Sequence, residues 1–269
     1  MKKLHIICFL LSAFCLFPNA LLAQRNKEIK GNGKLITKSI PISNFSKIEI
    51  ETCVVVDFSQ GKNTGSLEFI VDNNLLEYYD IYTKKDVLHI ELKEEYKSKR
   101  FWLNPTKCLI TVSSEQLENI EIAGGSKVNF CTDFTSKKLD IGLAGSAKIF
   151  ANKYPVNIEN CKVSIAGSGS TRLMGDIHLA RVDIAGSGSA QFEGTIQQAN
   201  ISIAGSGKVK ALDCEIKQLR ADVAGSGNVE AHVTDTLTAS VAGSGRVQFK
   251  GNPDIINSSV AGSGKVRKL

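Results

Sequence analysis

From residue 117 onward, apolar and polar positions alternate in short runs, and the runs restart at a nearly constant interval. A small-residue turn marks each restart: Ala-Gly-Gly-Ser at 123–126, Ala-Gly-Ser-Ala at 144–147, then Ala-Gly-Ser-Gly beginning at Ala166, Ala185, Ala204, Ala224, Ala242 and Ala261. Successive alanines lie 21, 22, 19, 19, 20, 18 and 19 residues apart. The residue before each Ala is branched and apolar: Ile122, Leu143, Ile165, Ile184, Ile203, Val223, Val241 and Val260. Two positions earlier stand Ile120, Ile141, Val163, Val182, Ile201, Ala221, Ala239 and Ser258, with polar or small residues between. A period of two with one apolar side predicts a strand with one buried face. A second strand follows the turn, with Val128, Ile149, Thr171, Ala190, Val209, Val229, Val247 and Val266 as its inward column. A third apolar patch closes several repeats, as at 177–179, 196–199 and 216–219.

A coil this short cannot bury its own apolar side chains. Stacked coils can, because each strand then pairs in parallel with its equivalents at about 4.8 Å, and the inward columns merge into one core. Parallel crossovers within a sheet are almost always right-handed. The pattern therefore predicts an all-β chain: a right-handed parallel β-helix with about 19–20 residues per coil, each coil having three short strands and three turns. A propeller blade needs roughly twice this period. Glycine at the turn supplies backbone conformations closed to other residues. The serines beside it, Ser126, Ser146, Ser168, Ser187, Ser206, Ser226, Ser244 and Ser263, are expected to form a structural hydroxyl ladder along that corner.

Residues 24–116 lack the repeat but contain alternating runs at 47–51, 54–58, 67–71, 87–92 and 108–112, punctuated by Gly61, Gly65 and the Asn73–Asn74 pair. They read either as irregular first coils or as a separate β cap. Residues 117–122 enter the first regular coil without a linker, which favours irregular coils. Before them, residues 1–23 read as a secretory leader: Lys2 and Lys3, an apolar stretch from 4 to 17, Pro18, and the small residue Ala23 at a cleavage point. Export to the periplasm or outer cell surface follows as the expectation, with no membrane span in the remaining chain.

Composition narrows the chemistry. The net charge of +6 falls to +4 once Lys2 and Lys3 are removed. That is mild, and with export it argues against nucleic acid as a partner. Five cysteines remain, Cys53, Cys108, Cys131, Cys161 and Cys214, without a CxxC pair. An odd number cannot pair completely within one chain. Buried free thiols are the main reading, and one disulfide is the alternative. The histidines after the leader, His89, His178 and His232, share no repeat offset, so neither a metal site nor a histidine-based triad is expected. No cofactor is expected. The Ala-Gly-Ser-Gly turn is not a nucleophile elbow, and no helix follows it to offer an anion site.

Two outward columns bear on function. Asp183 and Asp222 share one, two coils or about 10 Å apart, slightly too far for an inverting glycosidase pair. Arg181 and Arg220 stand beside them at equal offset, which reads as surface ion pairing. The other column, four residues after the repeat Ala, contains Lys127, Lys148, Lys208, Arg246 and Lys265. It forms a partial basic stripe suited to an anionic glycan or envelope surface, unless it is ordinary solubilising charge. Trp102, beside Phe101, is either a sugar-stacking platform or a packing residue.

The run Phe-Ser-Lys-Ile-Glu-Ile-Glu at 45–51, Asp-Phe-Ser-Gln-Gly at 57–61 and Asp-Asn-Asn-Leu-Leu at 72–76 resemble the N-terminal half of the GIN-domain family of auto-transporter adhesin heads. The Ala-Gly-Ser-Gly repeats resemble its C-terminal half. The resemblance implies a β-helical surface or periplasmic protein and brings no catalytic residues. No barrel-forming segment follows the repeats, so self-secretion is not expected. The resulting expectation is an exported non-enzymatic β-helix for adhesion or glycan binding. The rivals are a carbohydrate-active β-helix enzyme using Asp183, Asp222, Arg181 or Arg220, and a structural envelope assembly protein. Self-association is expected through the solenoid ends, because the last coil has no evident polar cap.

Overall fold

The computed structural model describes residues 27–97 and 101–269. The proposed leader lies outside them. Of the described residues 74% are strand and 3% helix, and they form a β-solenoid of about 8 turns. One 18-stranded sheet runs through it, so no break separates the residues before 117 from the repeats.

The N-terminal region contributes β1 (Lys27–Lys30), β2 (Leu35–Pro41), β3 (Lys47–Ile50), β4 (Val55–Gln60), β5 (Ser66–Asp72), β6 (Tyr79–Lys84), β7 (Val87–Leu92), β8 (Phe101–Asn104) and β9 (Cys108–Ser114). The regular coils follow as β10 (Asn119–Gly124), β11 (Lys127–Phe130), β12 (Phe134–Gly145), β13 (Lys148–Gly167), β14 (Ser170–Gly186), β15 (Ser189–Gly205), β16 (Lys208–Gly225), β17 (Asn228–Gly243), β18 (Arg246–Lys250), β19 (Ile255–Ala261) and β20 (Lys265–Lys268). From β12 to β17 the strands run long because hydrogen bonding continues around two of the three bends. The register shifts between Ala151 and Val156, between Gln191 and Gly194 and between Ala211 and Glu215, and the strands end at the Ala-Gly-Ser corner.

The register follows the repeat columns residue by residue. Ile141 lies beside Val163, Val163 beside Val182, and Val182 beside Ile201. On the next wall Ile149 lies beside Thr171, then Ala190, then Val209. All of these side chains are buried and belong to one core. Thr171 is the polar exception, and its buried hydroxyl has no hydrogen-bond partner.

The corner explains its own composition. Gly186 has φ +114°, and a Cβ there would sit 2.8 Å from the carbonyl oxygen of Gly167 in the preceding coil. Gly188 faces inward, and a Cβ there would meet the Ile165 γ-methyl at 2.5 Å. Any larger residue at either position would force the coils apart. The expected serine hydroxyl ladder is a backbone ladder instead. The amide N–H groups of Ser146, Ser168, Ser187, Ser206, Ser226 and Ser244 each donate to a glycine carbonyl one coil earlier, at 2.8–2.9 Å. Their side chains, with that of Ser263, are exposed to solvent. Ser126 does not belong to this column. One extra glycine shifts it into register with Ala147, where it is buried; its hydroxyl donates to the Thr52 carbonyl and accepts from the Val54 amide.

The first levels of the stack are not in chain order. β3 pairs in parallel with β7 on one edge and β10 on the other, and β4 does the same with β9 and β11. The chain therefore lays down β3–β4, leaves, places β7 and β9 beneath them, and returns above them at β10. Between these excursions it builds a lid, with β5 antiparallel to β9 and β2, and β6 antiparallel to β7. The described residues before 117 therefore contain both parallel rungs of the stack and an antiparallel lid. Asp72 ties the lid down. It is completely buried and accepts from the Gly33 amide at 2.7 Å and the Thr106 amide at 2.8 Å. Burial works to raise its pKa, but these backbone donors outweigh burial and hold the carboxyl below its ordinary 3.8.

Candidate functional site

The wall that follows each Ala-Gly-Ser corner carries two outward columns. The first is Lys127, Lys148, Ser170, Ser189, Lys208, Asn228, Arg246 and Lys265, all in mutual register. The second, two residues on, is Asn129, Phe150, Arg172, Gln191, Lys210, Glu230, Gln248 and Arg267. Among these sixteen positions eight are basic and Glu230 alone is acidic. The single stripe read from the sequence is half of a broader basic face; Arg172, Lys210 and Arg267 complete it. Lys127 also lies over the Phe150 ring, 5.0 Å from its centroid, which adds a cation–π contact. Arg172 donates to Gln191 at 2.8 Å and is 3.9 Å from Glu193. Strand spacing places neighbours in a column about 4.8 Å apart, so the charges repeat along a line. At its first level the face borders a hollow of about 490 Å³ whose lining includes Lys107, Thr106, Cys53 and Lys127.

The adjoining wall has a different electrostatic character. Glu121, Ser164, Asp183, Ser202 and Asp222 share an outward column there. Asp183 is paired with Arg181 at 3.2 Å and Asp222 with Arg220 at 3.0 Å, each along its own strand. Asp140 likewise meets Lys138 at 2.8 Å. Asp140, Asp183 and Asp222 are each engaged by a cation two residues away, and the wall is close to neutral.

Beyond the next bend a shallow furrow of about 510 Å³ crosses four coils, lined on one side by Asn157, Asp176 and Thr195 and on the other by Glu159, His178 and Gln197. Thr195 donates to Asp176 at 2.6 Å. His89 is far along the chain from it, stacked on Tyr82 and 3.3 Å from Glu49, while His232 is in register with Lys250. The three histidines are not brought together.

Among the described residues five cysteines are free; Cys53 is exposed, Cys131 is half-buried, and the other three are buried. Burial pushes the Cys108 thiol up to about 11, and those of Cys161 and Cys214 up to about 12. Among the described residues no group of three or more His, Cys, Asp or Glu is placed to hold a metal ion. No described helix is long and apolar enough to cross a membrane. Trp102 is half exposed on β8, which pairs with β1. Phe101 instead packs edge-on against Tyr78 and Tyr96.

Comparison with known proteins gives the same architecture. A crystal structure titled "Putative lipid binding protein" from Parabacteroides distasonis is 27% identical, with a TM-score of 0.84 over 90% of this chain and 100% of that one. A "putative adhesin" from the same organism is 25% identical, with a TM-score of 0.79 and the same coverage. A third, a "putative adhesin" from Parabacteroides merdae, is 23% identical with a TM-score of 0.76, over 90% of this chain and 99% of that one, and shares the fold. No protein of curated function matches the sequence. Residues 44–253 match the family described as "Putative auto-transporter adhesin, head GIN domain". The match takes in the inverted first levels and the repeats through β18 but stops before β19 and β20, and the chain belongs to that family of adhesin-head GIN domains.

Proposed function

We propose that this chain is a non-enzymatic adhesion protein, exported to the cell envelope, that holds an anionic glycan against its basic wall. The observation that carries this reading is the pair of in-register columns with eight cations and one acid. A polymer with regularly spaced carboxylates or sulfates meets such a wall at many points at once. Each contact is weak, exposed and screened by salt, and the sum gives avidity. The absence of net charge on the adjoining wall adds orientation, because a polyanion gains little there. Adhesin descriptions among the family and its structural relatives support the coarse role, and none of them names an enzyme.

The test is binding of heparin and polygalacturonate by calorimetry at low and physiological salt. Wild-type protein is expected to bind both, more weakly as salt rises. Lys208→Glu with Lys210→Glu is expected to lower affinity about tenfold or more, since each reversal replaces attraction with repulsion. Unchanged affinity in the double variant sinks the assignment of the wall. Release of unsaturated sugars from polygalacturonate would instead establish a lyase. Vesicles of anionic lipid serve as a second arm, because one relative carries a lipid-binding description.

A further inference from the structure

The last coil presents an unfinished edge. Among the described residues β19 pairs only with β17, and β20 only with β18. Their outer backbone groups have no strand partner. The inward columns also stop open here. Ile256 lies in register with buried Leu237, Val260 with buried Val241 and Val266 with buried Val247. Yet Ile256 is 50% exposed and Val260 is 43% exposed. Such a combination of free edge and open apolar column is a template for one more strand.

Charge decides between the candidate occupants. Residues 246–269 contain Arg246, Lys250, Lys265, Arg267 and Lys268 against Asp254 alone, a net +4. A second copy docked on the same edge would set +4 against +4. A second copy docked by its other end would offer the antiparallel lid, which has no matching parallel rung. An extended segment with alternating apolar and acidic residues meets both needs. Its apolar residues would cover Ile256, Val260 and Val266. Its acidic residues would stand in the outward columns beside Lys265 and Arg267.

We infer that the exposed edge of β19 and β20 is a docking site for an acidic, alternating β-segment, added as the next rung of the solenoid. This reading is independent of the glycan-binding wall, although Lys265 and Arg267 belong to both.

The probe is a synthetic peptide of alternating Val and Glu, long enough to pair with both β19 and β20, with a Val/Lys peptide as control. Fluorescence anisotropy on the full chain is expected to show binding of the Val/Glu peptide alone, weakening as salt rises. Hydrogen exchange is expected to slow in 255–268 when that peptide is bound. Lys265→Glu with Arg267→Glu is expected to invert the preference toward the Val/Lys peptide. Val260→Lys places a charge in the open apolar column. It is expected to abolish peptide binding while heparin binding persists, which separates this inference from the glycan reading. Equal binding of both peptides, or of neither, overturns it. So does sedimentation as a dimer whose 255–268 amides are already slow to exchange without peptide.

Discussion

At one end of the stack Leu67, Phe69 and Val71 of β5, which pairs with β9, are wholly buried. At the other end Ile255, Ile256 and Val260 are 43–52% exposed, and every residue of β19 is open to solvent. Both ends terminate the same kind of column. The difference lies in strand direction. Antiparallel β2, β5 and β6 turn the chain across the coil and satisfy it, whereas β19 and β20 simply repeat the rung below. A lid of this kind takes about fifty residues of irregular sequence; a repeat provides another rung but no termination. A solenoid built from repeats alone therefore stays reactive at its growing end.

Substitutions at the two ends should differ accordingly. Phe69→Ala beneath the lid is expected to cost about 3–5 kcal/mol, read from the urea midpoint, because it opens a cavity in a filled core. A loss below about 1 kcal/mol would mean the lid is not packed as described. Asp72→Asn should cost about 1–3 kcal/mol, since a buried acceptor of several backbone donors is weakened. The pH dependence has a definite sign. Asp72 has a depressed folded pKa, so its contribution is present above the unfolded value of 3.8 and is lost as pH falls through the lower folded value. Acid titration should loosen the lid before the central coils, as seen by exchange of 31–34 and 105–107, and Asp72→Asn should remove that step. Midway between the ends, Thr171→Val should stabilise the chain by about 1 kcal/mol by removing a buried hydroxyl without a partner. Ile256→Ser in the last coil should change stability by less than about 0.5 kcal/mol, because the side chain is already half in water. An effect as large as that of Phe69→Ala would show that something covers this end in solution.

Much of this contrast was legible in the residues. Column periodicity places Val163, Val182 and Ile201 in the core, and the spacing of the alanines sets the coil. Arg181 and Arg220 beside Asp183 and Asp222 were readable as ion pairs, and both pairs form. The level of each early strand was not legible. Runs at 47–50 and 87–92 alternate identically whether they stack in order or out of order, and only tertiary pairing distinguishes the two. The second basic column escaped notice because Arg172, Lys210 and Arg267 are interleaved with Phe150, Gln191, Glu230 and Gln248, so no single motif flags it. Ser126 was misplaced by its motif, since the extra glycine at 125 shifts it into the position of an inward-facing residue.

The inverted order of the first levels has a consequence for synthesis. Strands β3 and β4 emerge from the ribosome before anything that can pair with either of their edges. Their partners β7 and β9 follow after the lid, and their other partners lie 72 residues away, as in the bond from Val54 to Ser126. Later coils need only close loops of about 19 residues. Loop-closure entropy makes the early contacts about 1 kcal/mol dearer, and long-range pairing of this kind slows nucleation. The repeats should therefore nucleate first and zip one rung at a time, and the inverted N-terminal levels should close onto them. In pulse-labelled exchange during refolding, amides of β16 are expected to gain protection before those of β3 and β4. Protection appearing first in β3 and β4 would show that the N-terminal levels template the register.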